Sequence, residues 1–396
     1  MYKITSMKTK SRNACCLSLC LLIALSCDSC SSSYEVPSMG QGDGSSSSVS
    51  VSQTTGLSAT DFVSNIKLGW NLGNTLDAYP KIYTEWEKEG TIYSPSVTEK
   101  CWGNPLTTEA LIDTVKASGF NAIRVPVTWY EHMDSNNQID ASWLERAKEV
   151  VDYVLNADLT CIINVHHDTG TKGWLFADPN DEDFIKEESK FKKIWIQIAD
   201  YFKDYSEKLL FEGMNEILNK SSTWAGVNKA TCDIVNQLNQ DFVNIVRKST
   251  GNNPTRVLVL NTYAASAAKS EMANFVFPTD TMKNKLVLSV HAYTPYSFCS
   301  GETDTYKESD IDGFMSNLNN IFIAKGYPVI IGEFGVKGSK SSLDKKTEWA
   351  TYYLKKAKTY GIKCYWWDDG GSYKIINRHN NTELYPTLID SMMLAA

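Results

Sequence analysis

Leu209-Leu-Phe-Glu-Gly-Met-Asn215-Glu216 begins as a short apolar run and ends in an amide and a carboxylate. The run Leu209–Met214 is too short for a helix and reads as a buried strand. The polar pair that closes it is not what such a strand would otherwise tolerate. The same shape recurs along the chain, at Ile66–Leu72, Ala122–Pro126, Thr160–Val165, Val257–Leu260, Leu286–Val290, Val329–Ile331 and Lys363–Trp367. Helical stretches lie between most of these runs, among them Thr108–Ser118, Trp143–Asn156, Asp310–Ala324 and Lys345–Tyr360. In the last, Trp349, Tyr352, Tyr353 and Lys356 keep a three-to-four residue rhythm. Strands in alternation with helices predict an α/β fold, a (β/α)8 TIM barrel in a single domain. A doubly wound open sheet is the alternative. It would carry a glycine-rich phosphate loop after its first strand, which Gly69-Trp-Asn-Leu-Gly73 is not.

The 396 residues, 42% hydrophobic and 21% charged, have ordinary globular composition. A net charge of −7 argues against nucleic acid as the partner. Eleven Trp and twenty Tyr offer flat rings that stack on sugar faces but serve equally well as core. Of ten cysteines, five (Cys15, Cys16, Cys20, Cys27, Cys30) fall in the first thirty residues, and the other five lack paired spacing. Cys161 and Cys364, inside strand-like runs, read as buried free thiols.

Residues 1–30 read as an export signal: Lys3, Lys8, Lys10 and Arg12 precede an apolar stretch, Ala14–Leu25. That stretch is shorter than the ~20 apolar residues a spanning helix needs. Leu25-Ser26-Cys27 resembles a bacterial lipoprotein cleavage site, with Cys27 as the lipid anchor and Cys30 a second candidate. Plain secretion is the alternative. Residues 31–57, rich in Ser and Gly, read as a flexible linker, and 58–396 as the catalytic barrel.

The strand ends carry the chemistry. They present Asn71 and Asn74, Arg124, His166-His167-Asp168, Asn215-Glu216, His291 and Tyr293, Glu333, and Trp366-Trp367-Asp368. In a barrel all of these converge on one face, where barrel enzymes keep their active sites. Glu216 and Glu333 are carboxylates on separate strand ends with no basic neighbour in sequence. Glycoside cleavage needs such a pair, one acid for the leaving oxygen and one carboxylate across the anomeric carbon. Arg124 can hold a nucleophilic carboxylate ionised, lowering its pKa. Asn215 can bond a sugar 2-hydroxyl, Tyr293 can donate to the nucleophile, and His291 is placed to orient the acid.

Asn121-Ala-Ile-Arg124-Val-Pro126, His166-His167-Asp168, Phe211-Glu-Gly-Met-Asn215-Glu216, His291-Ala-Tyr293 and Ile331-Gly-Glu333-Phe-Gly335 resemble the signature blocks of glycoside hydrolase family 5. The resemblance runs from about Gly69 to Trp367. Gly69-Trp-Asn-Leu-Gly73-Asn74-Thr and Trp102-Gly-Asn-Pro105 are similar to its endoglucanase, lichenase and xyloglucanase branch. The resemblance implies a retaining double displacement with Glu216 as acid/base and Glu333 as nucleophile. It extends site roles to Arg124, His166, Asn215, His291, Tyr293 and a tryptophan at the last strand end. Both Trp366 and Trp367 stand there, and Trp367 is preferred. A retaining pair is expected ~5–5.5 Å apart and an inverting one ~6.5–9.5 Å. Glu216 is then expected in surroundings that favour its protonated form, while Glu333 stays ionised.

The adjacent His166 and His167 invite a metal reading. On a regular strand they would point to opposite faces, so no metal and no cofactor are expected. His167 is then expected to pack behind the barrel, and His132 and His379 to be surface or loop residues. There is no Gly-x-Ser-x-Gly elbow. A non-catalytic glycan-binding lipoprotein would be expected to have lost a carboxylate, and both are present. Trp102, Trp129, Trp174, Trp224, Tyr79, Tyr263 and Tyr296 are subsite candidates, and the resemblance to the family branch implies that Leu76–Pro105 shapes the negative subsites. β-1,4-Glucan, mixed-linkage β-glucan and xyloglucan are the competing substrates, with mannan and xylan behind, and a monomer is expected.

Overall fold

The computed structural model describes residues 56–80, 93–169, 173–179, 182–337 and 342–396. The export signal, Cys27, the linker up to residue 55 and positions 81–92 of the long first loop lie outside them.

Eight parallel strands close into a barrel: β1 (Gly69–Leu72), β2 (Ala122–Val125), β3 (Thr160–Asn164), β4 (Leu209–Glu212), β5 (Leu258–Ser266), β6 (Leu286–His291), β7 (Val329–Phe334) and β8 (Lys363–Asp368). The expected barrel is therefore the observed one, with seven strands inside or within three residues of their apolar runs and β5 running on from Leu260 to Ser266. β1 closes on β8 in the register Gly69↔Tyr365 to Leu72↔Asp368. Closure there depends on a missing side chain: a Cβ on Gly69 would lie 2.0 Å from the Tyr365 ring.

The helices begin where the sequence supplies caps. Asp140 accepts from the Ser142 and Trp143 amides to start Ala141–Asn156, and Asn228 accepts from Thr231 to start Lys229–Lys248. Their apolar stripes pack on the outward strand residues, where Trp70, Ile123, Val125, Cys161, Ile163 and Phe211 are all buried. A second apolar cluster fills the lower interior: Ala122, Ile162, Leu210, Val259, Val287, Ile330 and Tyr365. The helix Ala59–Asn65 caps it with Phe62 and Val63, started by a Ser58–Asp61 capping box. That helix closes the barrel floor, so the chain enters the domain on the face opposite the strand C-termini. Cys161, Cys232, Cys299 and Cys364 are buried free thiols.

Strand alternation then fixes what fills the upper interior. Two residues beyond the inward apolar layer come Arg124 on β2, Asn164 on β3, Glu212 on β4 and Asn261 on β5, all fully buried. The barrel is apolar below and polar above.

Candidate active site

The polar layer is organised around Arg124. Its Nε donates to Glu212 Oε2 at 2.6 Å, Nη1 to Glu333 Oε1 at 2.7 Å and Asn71 Oδ1 at 3.0 Å, and Nη2 to Asn215 Oδ1 at 2.9 Å. Burial works against the guanidinium charge, but Glu212 and Glu333 more than offset it and raise its pKa. Asn71 is locked in turn, donating to the Gly332 carbonyl at 2.9 Å. It supports the site from below. Asn215 spends its Oδ1 on Arg124, which leaves Nδ2 as the amide's remaining donor.

Glu333, on β7, is buried at the barrel mouth. Its second oxygen accepts the Tyr293 hydroxyl at 2.8 Å. Burial raises its pKa, against the downward pull of His291, Arg124 and the Tyr293 bond, and Glu216 pushes the same way as burial. Arg124 lowers the Glu333 pKa as expected, but desolvation outweighs it and sets the net direction. Arg124, His291 and Tyr293 nevertheless all hold the ionised form.

Glu216 lies just past β4 with its side chain 22% exposed. His291 Nδ1 sits 2.7 Å from its Oε1 and 3.6 Å from Glu333 Oε2. Burial opposes charge on this imidazole, but Glu333 and Glu216 prevail and raise its pKa. Ligand-type atoms of Glu216, His291 and Glu333 all lie within 4.8 Å of one another. An oxygen of each carboxylate therefore lies within 4.8 Å of an oxygen of the other, which brings the two groups face to face across the mouth.

To one side, Trp367 lies parallel to the His166 ring, 5.9 Å between centroids and 6° between planes. Trp366 turns outward, buried against Phe334, so Trp367 is the tryptophan of the site. His167 also belongs here and not behind the barrel: its ring meets Tyr79 at 5.6 Å and Trp102 at 5.4 Å. Both histidines lie beyond the end of β3, so strand alternation does not separate them.

With Asp77 they bring three ligand-type atoms within 4.8 Å of one another. The hydrogen bonds argue against a metal there. Asn164 accepts the Val127 amide through Oδ1 and donates through Nδ2 to Glu212 at 3.0 Å, which fixes its orientation. The same Nδ2 faces His166 Nδ1 at 3.1 Å, so that nitrogen accepts and Nε2 carries the proton. A protonated Nε2 is a donor, not a ligand. Burial holds His166 well below its ordinary pKa, with His167 and Arg124 adding to the effect.

To the other side a cavity of ≈ 810 Å³ opens from Glu216 and His291 past Ser266 and Ala268 to Trp224, Tyr296 and Tyr373. Trp224 and Tyr296 are 56% and 67% exposed. Two other aromatic candidates are scaffold: Trp129 is fully buried, and Tyr263 is buried with its hydroxyl donating to the Thr223 carbonyl. Trp174 has one ring face under Lys190 Nζ, 4.2 Å away. His132 corrects another expectation. It is fully buried and stacked 3.7 Å from Trp143, whereas His379 is exposed as expected.

Sequence reasoning missed Glu212, Asn164 and Asn261 in the interior and Tyr373 at the mouth, whose ring meets Tyr293 at 5.6 Å. A charge inside the apolar run Leu209–Met214 was the available signal for Glu212. Tyr373 follows the last strand in a loop and gave none.

A barrel whose C-terminal mouth sets two glutamates face to face, one gripped by arginine and tyrosine and the other by histidine, has the layout of a glycoside hydrolase. The chain belongs to glycosyl hydrolase family 5: the family model described as Cellulase (glycosyl hydrolase family 5) matches residues 86–385. It is 38% identical over 356 residues to Endoglucanase A of Clostridium longisporum, covering 85% of this chain and 65% of that relative. Among solved structures it is similar to a GH5-4 broad specificity endoglucanase from Ruminococcus champanellensis with bound cellotriose. That match has 39% identity and a TM-score of 0.79, over 85% of this chain and 98% of the other. It is also similar to a Prevotella bryantii family 5 enzyme, solved as a mutant with a xyloglucan tetradecasaccharide. Here the identity is 36% and the TM-score 0.78, over 86% of this chain and 98% of the other.

Proposed function

We propose that this protein is a retaining endo-β-1,4-glucanase that hydrolyses cellulose, mixed-linkage β-glucan or xyloglucan. The observation that carries this reading is the close approach of Glu216 and Glu333, with Arg124 and Tyr293 on one and His291 on the other. In the first step Glu333 attacks the anomeric carbon as the C–O bond breaks, and Glu216 gives its proton to the leaving oxygen. In the second, Glu216 takes a proton from water, whose oxygen displaces Glu333, so the β configuration is kept. The Asn215 amide and the His166 Nε2 proton are donors for sugar hydroxyls. Trp367 provides an apolar wall beside them. Cellotriose and xyloglucan oligosaccharide in two similar structures support a glucan chain as substrate.

Two experiments test the reading. New reducing ends are measured on cellulose, mixed-linkage glucan, xyloglucan, mannan and xylan, and release from the last two alone would sink it. Glu333→Ala is expected to abolish turnover, with azide restoring cleavage of an activated glycoside to give an inverted azide product. Near wild-type degradation by Glu333→Ala would overturn the assignment.

We further propose that residues 1–30 direct export, that Cys27 carries a lipid anchor and that 31–57 tether a monomeric barrel to a surface. Lys285 Nζ holds the Gly56 and Leu57 carbonyls at 2.9 and 2.7 Å, so the tether would join the barrel at its floor and not at the cleft. Cys27→Ser is expected to release the protein from membranes, and unchanged fractionation would refute the anchor.

A further inference from the structure

Beneath the two mouth glutamates lies a third that reaches no substrate. Glu212 is fully buried on β4. Its Oε2 accepts from Arg124 Nε and from Asn164 Nδ2, and its Oε1 from Asn261 Nδ2 at 3.2 Å. A buried charge pair is a weak source of stability, because desolvation cancels much of the attraction and an apolar set of similar volume often does as well. What Glu212 changes is how Arg124 divides its charge. Without it, the guanidinium would answer Glu333 alone and hold that carboxylate more tightly, as a more stable and poorer nucleophile.

We propose that Glu212 is a positioning residue for the reaction: it shares Arg124 with Glu333, setting how firmly the nucleophile is held, and through Asn164 it fixes the His166 nitrogen that donates into the cleft. This rests on Glu333 being the nucleophile. The groups facing Glu333 are Arg124 from β2, His291 and Tyr293 from the end of β6, Glu216 from the end of β4, and Tyr373 from the loop after β8. Those facing Glu212 are Arg124, Asn164, Asn261 and Tyr365 of β8.

The test is Glu212→Gln. Its new carbonyl can take the place of Oε2, and its NH2 then meets Asn261, whose Oδ1 is buried without a partner and can turn to accept. With one negative charge removed beside Arg124, Glu333 is held more firmly. The acidic limb of kcat/KM on an aryl cellobioside is expected to move down by about one pH unit. kcat is expected to fall about tenfold with KM within about twofold, because the loss is in attack and not in binding.

Asn261→Leu works the other way. Glu212 loses the donor that draws its charge from Arg124, Glu333 is released slightly, and the limb is expected to rise by about 0.3 unit. If Glu212→Gln fails to fold, this second variant decides alone. A limb that stays put or rises in Glu212→Gln, or that does not rise in Asn261→Leu, overturns the proposal. Trapping the wild-type enzyme with a 2-fluoro cellobioside, followed by peptide mass analysis, separates the two failures. A label elsewhere than Glu333 removes the nucleophile assignment, whereas a label on Glu333 with unmoved limbs removes only the role of Glu212.

Discussion

The Tyr293 hydroxyl donates to Glu333 Oε2 across 2.8 Å, from the end of β6 to the strand beside it. The tyrosine is buried, and burial together with the charge of Glu333 raises its pKa far above the ordinary phenol value. It therefore keeps its proton and acts on the carboxylate as a fixed donor. Tyr293→Phe removes a hydrogen bond to a charged group, an effect of roughly 1.5–3 kcal/mol. kcat/KM is expected to fall about 10–150-fold. The bond lowers the Glu333 pKa, so its loss moves the acidic limb to higher pH. A pH–rate series on an aryl cellobioside measures both, and a limb moving to lower pH would contradict this account.

Trp224 stands 56% exposed on the wall of the cavity that begins at Glu216. With Glu216 as the acid for the leaving oxygen, the leaving part of a chain is expected along this wall, beyond the reach of an aryl glycoside with a small leaving group. Trp224→Ala gives up about 1 kcal/mol of ring contact, so KM on β-glucan is expected to rise about fivefold. Aryl cellobioside kinetics should be unchanged. Equal losses on both substrates would place Trp224 outside the leaving-group side.

The loop bearing Trp224 is held by a residue of the next βα unit. Glu271, buried, accepts from the Gly226 and Val227 amides through Oε1, at 2.6 and 3.2 Å. Glu271→Leu strands two amide donors, which frees the loop and costs about 1–3 kcal/mol of stability. Polymer KM is expected to rise as in Trp224→Ala, and the double variant to rise no further, because both changes remove the same contact. Additive effects in that cycle would show that Glu271 acts by another route.

The barrel was legible because eight short apolar runs alternate with helical stretches, seven of the runs carry polar or aromatic residues at their ends, and the glycine-rich loop of an open sheet is missing after the first. The mouth residues were legible for the same reason: Asn215-Glu216 and Glu333 end apolar runs. Polar residues inside the runs were harder. Asn164 and Glu212 sit within strands, where a polar side chain reads as a break in pattern until they pair with each other and β2 and β5 supply Arg124 and Asn261 to Glu212. His167 was misread because alternation was extended past Asn164, where β3 ends. Trp129 and Tyr263 show that an aromatic near a strand end is core or subsite according to what the neighbouring loop covers, which spacing does not reveal.

His132 gives the enzyme an acid limit unrelated to its chemistry. The ring is buried flat against Trp143 and its carbonyl accepts the Asp140 amide at 2.8 Å, beside the cap of the helix Ala141–Asn156. Burial pulls its pKa from 6.5 down to about 3. Because the folded value is the lower one, the unfolded chain binds the extra proton between the two. The stability from the neutral ring is complete above pH 6.5 and is lost as pH falls toward 3. The slope over that window is about 1.4 kcal/mol per pH unit. His132→Phe keeps an aromatic ring on Trp143 and removes the titration. Urea unfolding at pH 7, 5.5 and 4.5 is expected to show the variant losing less stability than wild type at each step down. Parallel losses in the two proteins would mean that His132 is already protonated, or released from Trp143, in the native state.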